Sequence, residues 1–99
     1  MDRLTRDINK NKIDFILDIE AIERIESYLD KGIFVLLQES ATLKFTDISS
    51  ILFFCAKNDI SEKEIKKFIR DSYEEAVKLC LELLLTLISK DKKKENLIN

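Results

Sequence analysis

The chain has 99 residues, 45% hydrophobic and 36% charged, which is the balance of one small globular domain and not of a disordered segment. It contains no His, no Trp, no Pro and one Gly. That excludes an imidazole base, Ser-His or Cys-His nucleophiles, His-ligated metals, and glycine-rich phosphate loops. Seventeen basic and nineteen acidic residues give a formal net charge of −2 and a pI near 5.2, with the signs interleaved, so a general nucleic-acid binder is disfavoured.

Residues Leu4 to Ile8 and Ile13 to Leu17 are short segments joined by Asn9-Lys10-Asn11-Lys12. Ile13, Phe15 and Leu17 recur at every second position, which predicts a β-hairpin over about 3–17 with one apolar face. No apolar stretch of signal-peptide length follows the amino terminus, so an uncleaved chain is expected.

From Asp18 the apolar period lengthens to that of a helix. Asp18 is the expected cap, Ile22, Ile25 and Leu29 the inward stripe, and Gly32 the left-handed stop. A second short helix is predicted from Ile33 to Ser40, an extended piece from Thr42 to Phe45, and a third helix from Asp47 to about Lys57, capped by Thr46. Its apolar positions are Ile48, Ile51, Leu52, Cys55 and Ala56, with Phe53 and Phe54 widening the stripe. Asn58-Asp59 ends it.

Ser61 and Glu64 have the spacing of a capping box and start a fourth helix with Ile65, Phe68 and Ile69 facing inward. Ser72 and Glu75 repeat that spacing, which predicts a break near Asp71 and a final helix to about Ser89. Between Val77 and Ile88 the only polar residues are Lys78, Glu82 and Thr86, four apart and therefore on one ridge. Such an apolar helix should be surrounded, by its own domain first or by a partner or second copy. The apolar run from Leu79 to Ile88 is about half the length that crosses a bilayer, so no membrane association is expected. Lys90, Lys92, Lys93 and Lys94 mark residues 90–99 as a charged flexible tail beyond a single domain over 1–89. The fold class is mainly α: a bundle of about five helices with an amino-terminal hairpin.

Four local patterns have a chemical reading. Cys55 and Cys80 lie in apolar runs without CxxC spacing, as buried free thiols that suit a reducing cytoplasm. Asn58 to Glu64 resembles the second half of a calcium loop, but Phe53, Cys55 and Lys57 fall where oxygen ligands are needed, so no metal is expected. Asp47 to Arg70 fits a helix-turn-helix presenting Lys63, Lys66, Lys67 and Arg70, the alternative reading as a small DNA-binding regulator; Glu62 and Glu64 oppose phosphate there. The carboxylate pairs Glu23/Glu26 and Glu74/Glu75 have no apolar cleft around them to shift a pKa. No catalytic, cofactor-binding or metal-binding residue is assigned, and no enzyme is expected.

The order of elements carries a family resemblance. A charged hairpin is followed by Ile22-x-x-Ile25-Glu26, Gly32, a short apolar helix, Leu43-x-Phe45-Thr46-Asp47-Ile48, then Ile60-Ser61-x-x-Glu64-Ile65 before an apolar last helix. Over roughly Lys12 to Ser89 the chain resembles the small tail proteins of gene transfer agents and tailed phages, described as tail assembly chaperones. The resemblance implies a non-catalytic cytoplasmic protein that covers apolar stripes of a tape-measure-type partner and recruits tail-tube subunits. Phe34, Leu37, Phe53, Phe54, Leu81 and Leu85 are the candidate partner-binding residues, each of which the helical pattern assigns to the core before it assigns it to a contact.

Overall fold

Strands β1 (Leu4–Ile8) and β2 (Asn11–Phe15) pair antiparallel in a register that sets Ile8 opposite Asn11, so only Asn9 and Lys10 make the turn. The four-residue connection expected from the sequence is thus two residues long. Asn9 and Lys10 have φ of 52° and 69°, the left-handed pair whose twist matches that of the flanking strands. The structure is a computed structural model and describes residues 2–98, with side chains over 2–88.

One face of the hairpin is apolar: Ile8, Ile13 and Phe15 are buried, as is Leu17 just beyond β2. Arg6, opposite Ile13, shares that face, and its guanidinium pairs with Glu82 of the last helix. On the other face Thr5 Oγ1 donates to Asp14 Oδ1 at 2.7 Å.

Asp18 caps α1 (Ile19–Leu29) as expected, accepting from the Ala21 N–H at 2.9 Å. Ala21 and Ile25 are buried, with Ile22 and Leu29 packed at the core's edge. The helix does not stop on Gly32. Asp30 takes the left-handed position, with φ 55° and ψ 42°, whereas Gly32 is extended at φ −69°, ψ 147° and precedes α2 (Ile33–Gln38). A Cβ added at Gly32 would meet nothing closer than Glu26 Oε2 at 3.8 Å. That same carboxylate accepts from the Ile33 N–H at 2.8 Å, so Glu26 closes the start of α2.

Helix α2 ends two residues before the expected Ser40. A 3-10 turn over Ser40–Thr42 follows, held by the Thr42 N–H donating to the Glu39 carbonyl at 2.8 Å. The extended piece expected from Thr42 to Phe45 shrinks to Leu43 and Lys44. Helix α3 (Phe45–Cys55) starts before Thr46, which is therefore not its cap; Asp47 reaches back to accept from the Lys44 N–H at 3.0 Å. From Asp47 to Leu52 every residue of α3 is buried, and so is Cys55. Helices on several sides pack against it: α1, α4 (Glu62–Asp71) and α5 (Tyr73–Ile98).

The exit of α3 is stitched to the hairpin. The Ile16 N–H donates to the Cys55 carbonyl at 2.9 Å and the Lys57 N–H to the Asp14 carbonyl at 2.8 Å, with Ala56 bridged to Phe15. Asn58 Oδ1 accepts from the Asp14 N–H at 2.6 Å. Lys57 Nζ lies 2.8 Å from Asp18 Oδ2, so the cap of α1 belongs to the same latch.

Ser61 and Glu64 form the expected box: the Glu64 N–H donates to Ser61 Oγ at 3.1 Å and the Ser61 N–H to Glu64 Oε1 at 3.5 Å. Ile65, Phe68 and Ile69 face inward as expected. The break falls at Ser72, but through its backbone. Its N–H donates to Phe68 O at 2.8 Å and its carbonyl accepts from the Ala76 N–H at 2.9 Å, without the expected side-chain box to Glu75. Five helices and an amino-terminal hairpin are the architecture expected from the sequence. Helix α5 runs past the expected end near Ser89 to Ile98, through the residues expected as a tail over 90–99, whose side chains lie outside those described.

Asp30→Gly removes the Cβ penalty of a left-handed residue and stabilises the protein by roughly 0.5–1 kcal/mol, read as a higher midpoint in thermal unfolding, while Gly32→Ser stays within about 0.5 kcal/mol of the parent. The Lys57 ammonium holds the Asp18 carboxyl below its ordinary value of 3.8, with the Ala21 N–H adding to that effect and partial desolvation opposing it. A depressed carboxyl stabilises the fold above its unfolded pKa and loses that contribution as pH falls through the folded value. Asp18→Ala should therefore cost about 1–2 kcal/mol near neutrality, and the gap from the parent in denaturant titrations should narrow below pH 3.8.

Candidate functional site

The distribution of burial around α5 differs from the expectation of a surrounded helix. Ala76, Leu79, Cys80, Leu83 and Leu84 are buried in the domain core. The adjoining line Tyr73, Val77, Leu81, Leu85 and Ile88 is left at the surface: Tyr73 is 56%, Leu85 50% and Ile88 40% exposed, with Val77 and Leu81 half-buried. Steps of three and four residues keep these side chains on one stripe, which runs about 22 Å along the helix at 1.5 Å per residue. Tyr73, Val77, Leu81 and Leu85 line a shallow open groove of about 450 Å³, edged by Glu74, Lys78 and Glu82.

The polar ridge separates this groove from the hairpin. Glu82 is held by Arg6, and Thr86 Oγ1 donates to the carbonyl of Leu83 at 2.6 Å, so its hydroxyl is satisfied within its own helix. Lys78 stays exposed. Helix α5 thus has three longitudinal zones: core, uncovered apolar stripe, and polar ridge. The helix that its own domain does surround is α3.

None of the six candidate residues is fully buried. Phe34 is 65% exposed and Leu85 50%; Leu37, Phe53, Phe54 and Leu81 are half-buried. Leu81 and Leu85 share the α5 groove. Phe53 and Phe54 instead stack edge to face with ring centroids 5.5 Å apart, and Tyr28 of α1 meets Phe54 in the same way at 5.9 Å. Sequence reasoning passed over Tyr73, Val77 and Ile88, although their three- and four-residue spacing beside the Lys78-Glu82-Thr86 ridge was a readable signal.

The chemistry elsewhere is spent on structure. Cys55 and Cys80 are fully buried free thiols; burial pushes the Cys55 thiol up and the Cys80 thiol to about 12, so neither is a thiolate near neutral pH. Asn58, Ser61 and Glu64 of the calcium-loop-like stretch are engaged in the latch and the α4 cap. Glu26 caps α2. Among the described residues there is no group of three or more acidic, Cys or His side chains placed to hold a metal, and no helix long and apolar enough to cross a membrane. Comparison with protein-family models, curated proteins and solved structures found no match for this chain.

Proposed function

We propose that the protein is a non-catalytic interaction module of the tail-assembly type, which holds an apolar helical segment of a tape-measure-type partner on the α5 stripe until tail-tube subunits take its place. The observation that carries this reading is the stripe itself. It is four turns of exposed or half-buried apolar side chains at helical spacing, on a helix whose opposite face is anchored in the core. A groove of that length offers anchors at the one-turn intervals that a second amphipathic helix supplies. The family resemblance names the partner. The buried free thiols suit work in a reducing cytoplasm.

Two exposed apolar contacts, each worth about 1.5–3 kcal/mol when covered, set the size of the expected effect. Co-expression of a tape-measure fragment with the parent protein should keep the fragment soluble. Tyr73→Glu/Leu85→Glu, at positions already in solvent, should fold normally and reduce the co-purified fragment by about tenfold or more. A fragment equally insoluble with and without the parent protein, or retained equally by the double variant, contradicts the proposal.

A further inference from the structure

The exposed face of α4 gathers basic side chains on a molecule of otherwise mixed charge. Ile65, Phe68 and Ile69 point into the core, which leaves Lys63, Lys66, Lys67 and Arg70 together on the outward arc at the i, i+3, i+4, i+7 spacing of one helix face. Lys66 is within 3.1 Å of Glu62, and Arg70 Nε within 3.2 Å of Asp71. Lys63 and Lys67 have no acidic partner among the described residues. The first residue of α3, Phe45, lies beside this arc and is 46% exposed. Phe45 and the four cations line a groove of about 370 Å³. A protein of net charge −2 therefore gathers four cations around one exposed aromatic ring.

We propose that this groove is a second docking surface, for an acidic amphipathic helix of a protein partner, with carboxylates against Lys63, Lys67 and Arg70 and an apolar side chain on the Phe45 ring. Length and charge favour that occupant. Seven residue steps of helix lead from Lys63 to Arg70, about 10 Å. A helix with carboxylates at i, i+3, i+4 and i+7 covers the same distance and sets two of them opposite Lys63 and Lys67, the lysines that Glu62 and Asp71 leave unpaired. The chain's net charge of −2 lacks the basic excess that marks a nucleic-acid-binding domain. The ring and the aliphatic lysine stems add the apolar contact that an amphipathic helix uses. This surface lies apart from the α5 stripe, so each stands or falls alone.

The test uses the full chain and a fluorescent alanine-based peptide carrying Glu at the i, i+3, i+4, i+7 positions and one Leu beside them, read by anisotropy at low salt. Saturable micromolar binding is expected. It should weaken about tenfold or more in Lys63→Glu/Lys67→Glu and about fivefold or more in Phe45→Ala, and it should weaken as salt rises. Tyr73→Glu/Leu85→Glu should bind the peptide as the parent does. Thermal melts of these surface variants establish that each is folded, and the lysine pair tests the proposal even if Phe45→Ala is not. Absence of saturable binding overturns it, as does unchanged affinity in Lys63→Glu/Lys67→Glu or in a folded Phe45→Ala. Tighter binding of a single-stranded DNA of equal charge does so too.

Discussion

The burial of α3 governs the rest of this molecule. Ile48, Ile51 and Leu52 are fully enclosed, and at about 1.5–3 kcal/mol each they contribute on the order of 5–9 kcal/mol of gross hydrophobic stabilisation, comparable with the whole net stability of a small domain. Enclosure on that scale needs neighbours on every side. Helices α1, α4 and α5 supply most of them, and the hairpin closes over the exit of the helix through the Cys55 and Lys57 backbone. The polar residues carried inward are satisfied locally: Asp47 accepts from the Lys44 N–H, and Ser49 Oγ donates to the Thr46 carbonyl. With the small domain's covering surface committed to α3, little remains to cover the outer side of α5. The uncovered stripe is the consequence of how the core is built.

That relation shows which features are legible in the sequence. Devices that act within a few residues were readable, because their geometry is fixed by local spacing: Asp18 as a cap, the Ser61–Glu64 box, the alternation of Ile13, Phe15 and Leu17, the break before Tyr73. The helix stop was misread for a reason equally physical. Glycine is the least costly left-handed residue, but Asp also adopts that conformation, and Asp30 takes it one residue after α1 ends. Gly32 was then free to begin α2. Thr46 looked like the cap of α3, yet Asp47, reaching back three residues to the Lys44 amide, starts the helix earlier.

The larger misreading concerned which helix is enclosed. Five of the seven residues from Leu79 to Leu85 are leucine, which makes α5 look the more apolar helix, while Asp47, Ser49 and Ser50 interrupt α3. Enclosure follows from neighbours, which periodicity within one helix does not reveal. Small serines such as Ser49, bonded within its own helix, are compatible with close approach of packed helices, whereas the surplus leucine of α5 is more than its own domain covers. Leu81 and Leu85 are candidates from the sequence as apolar positions of α5, and that one is half-buried and the other exposed became visible only in three dimensions.

The two surfaces of this domain differ in character: a long apolar stripe on α5, with a short basic arc around Phe45 on α4. Both depend on α3 being the shared core and on the hairpin holding its exit. Residue-resolved amide hydrogen exchange tests that dependence most directly. If the latch and α3 form one cooperative unit, the amides of Ile16 and Lys57 exchange in the slowest class together with those of Ile51 to Cys55, opening only with the whole domain. Rapid exchange at Ile16 and Lys57 while α3 stays protected would make the hairpin a detachable accessory and contradict the account.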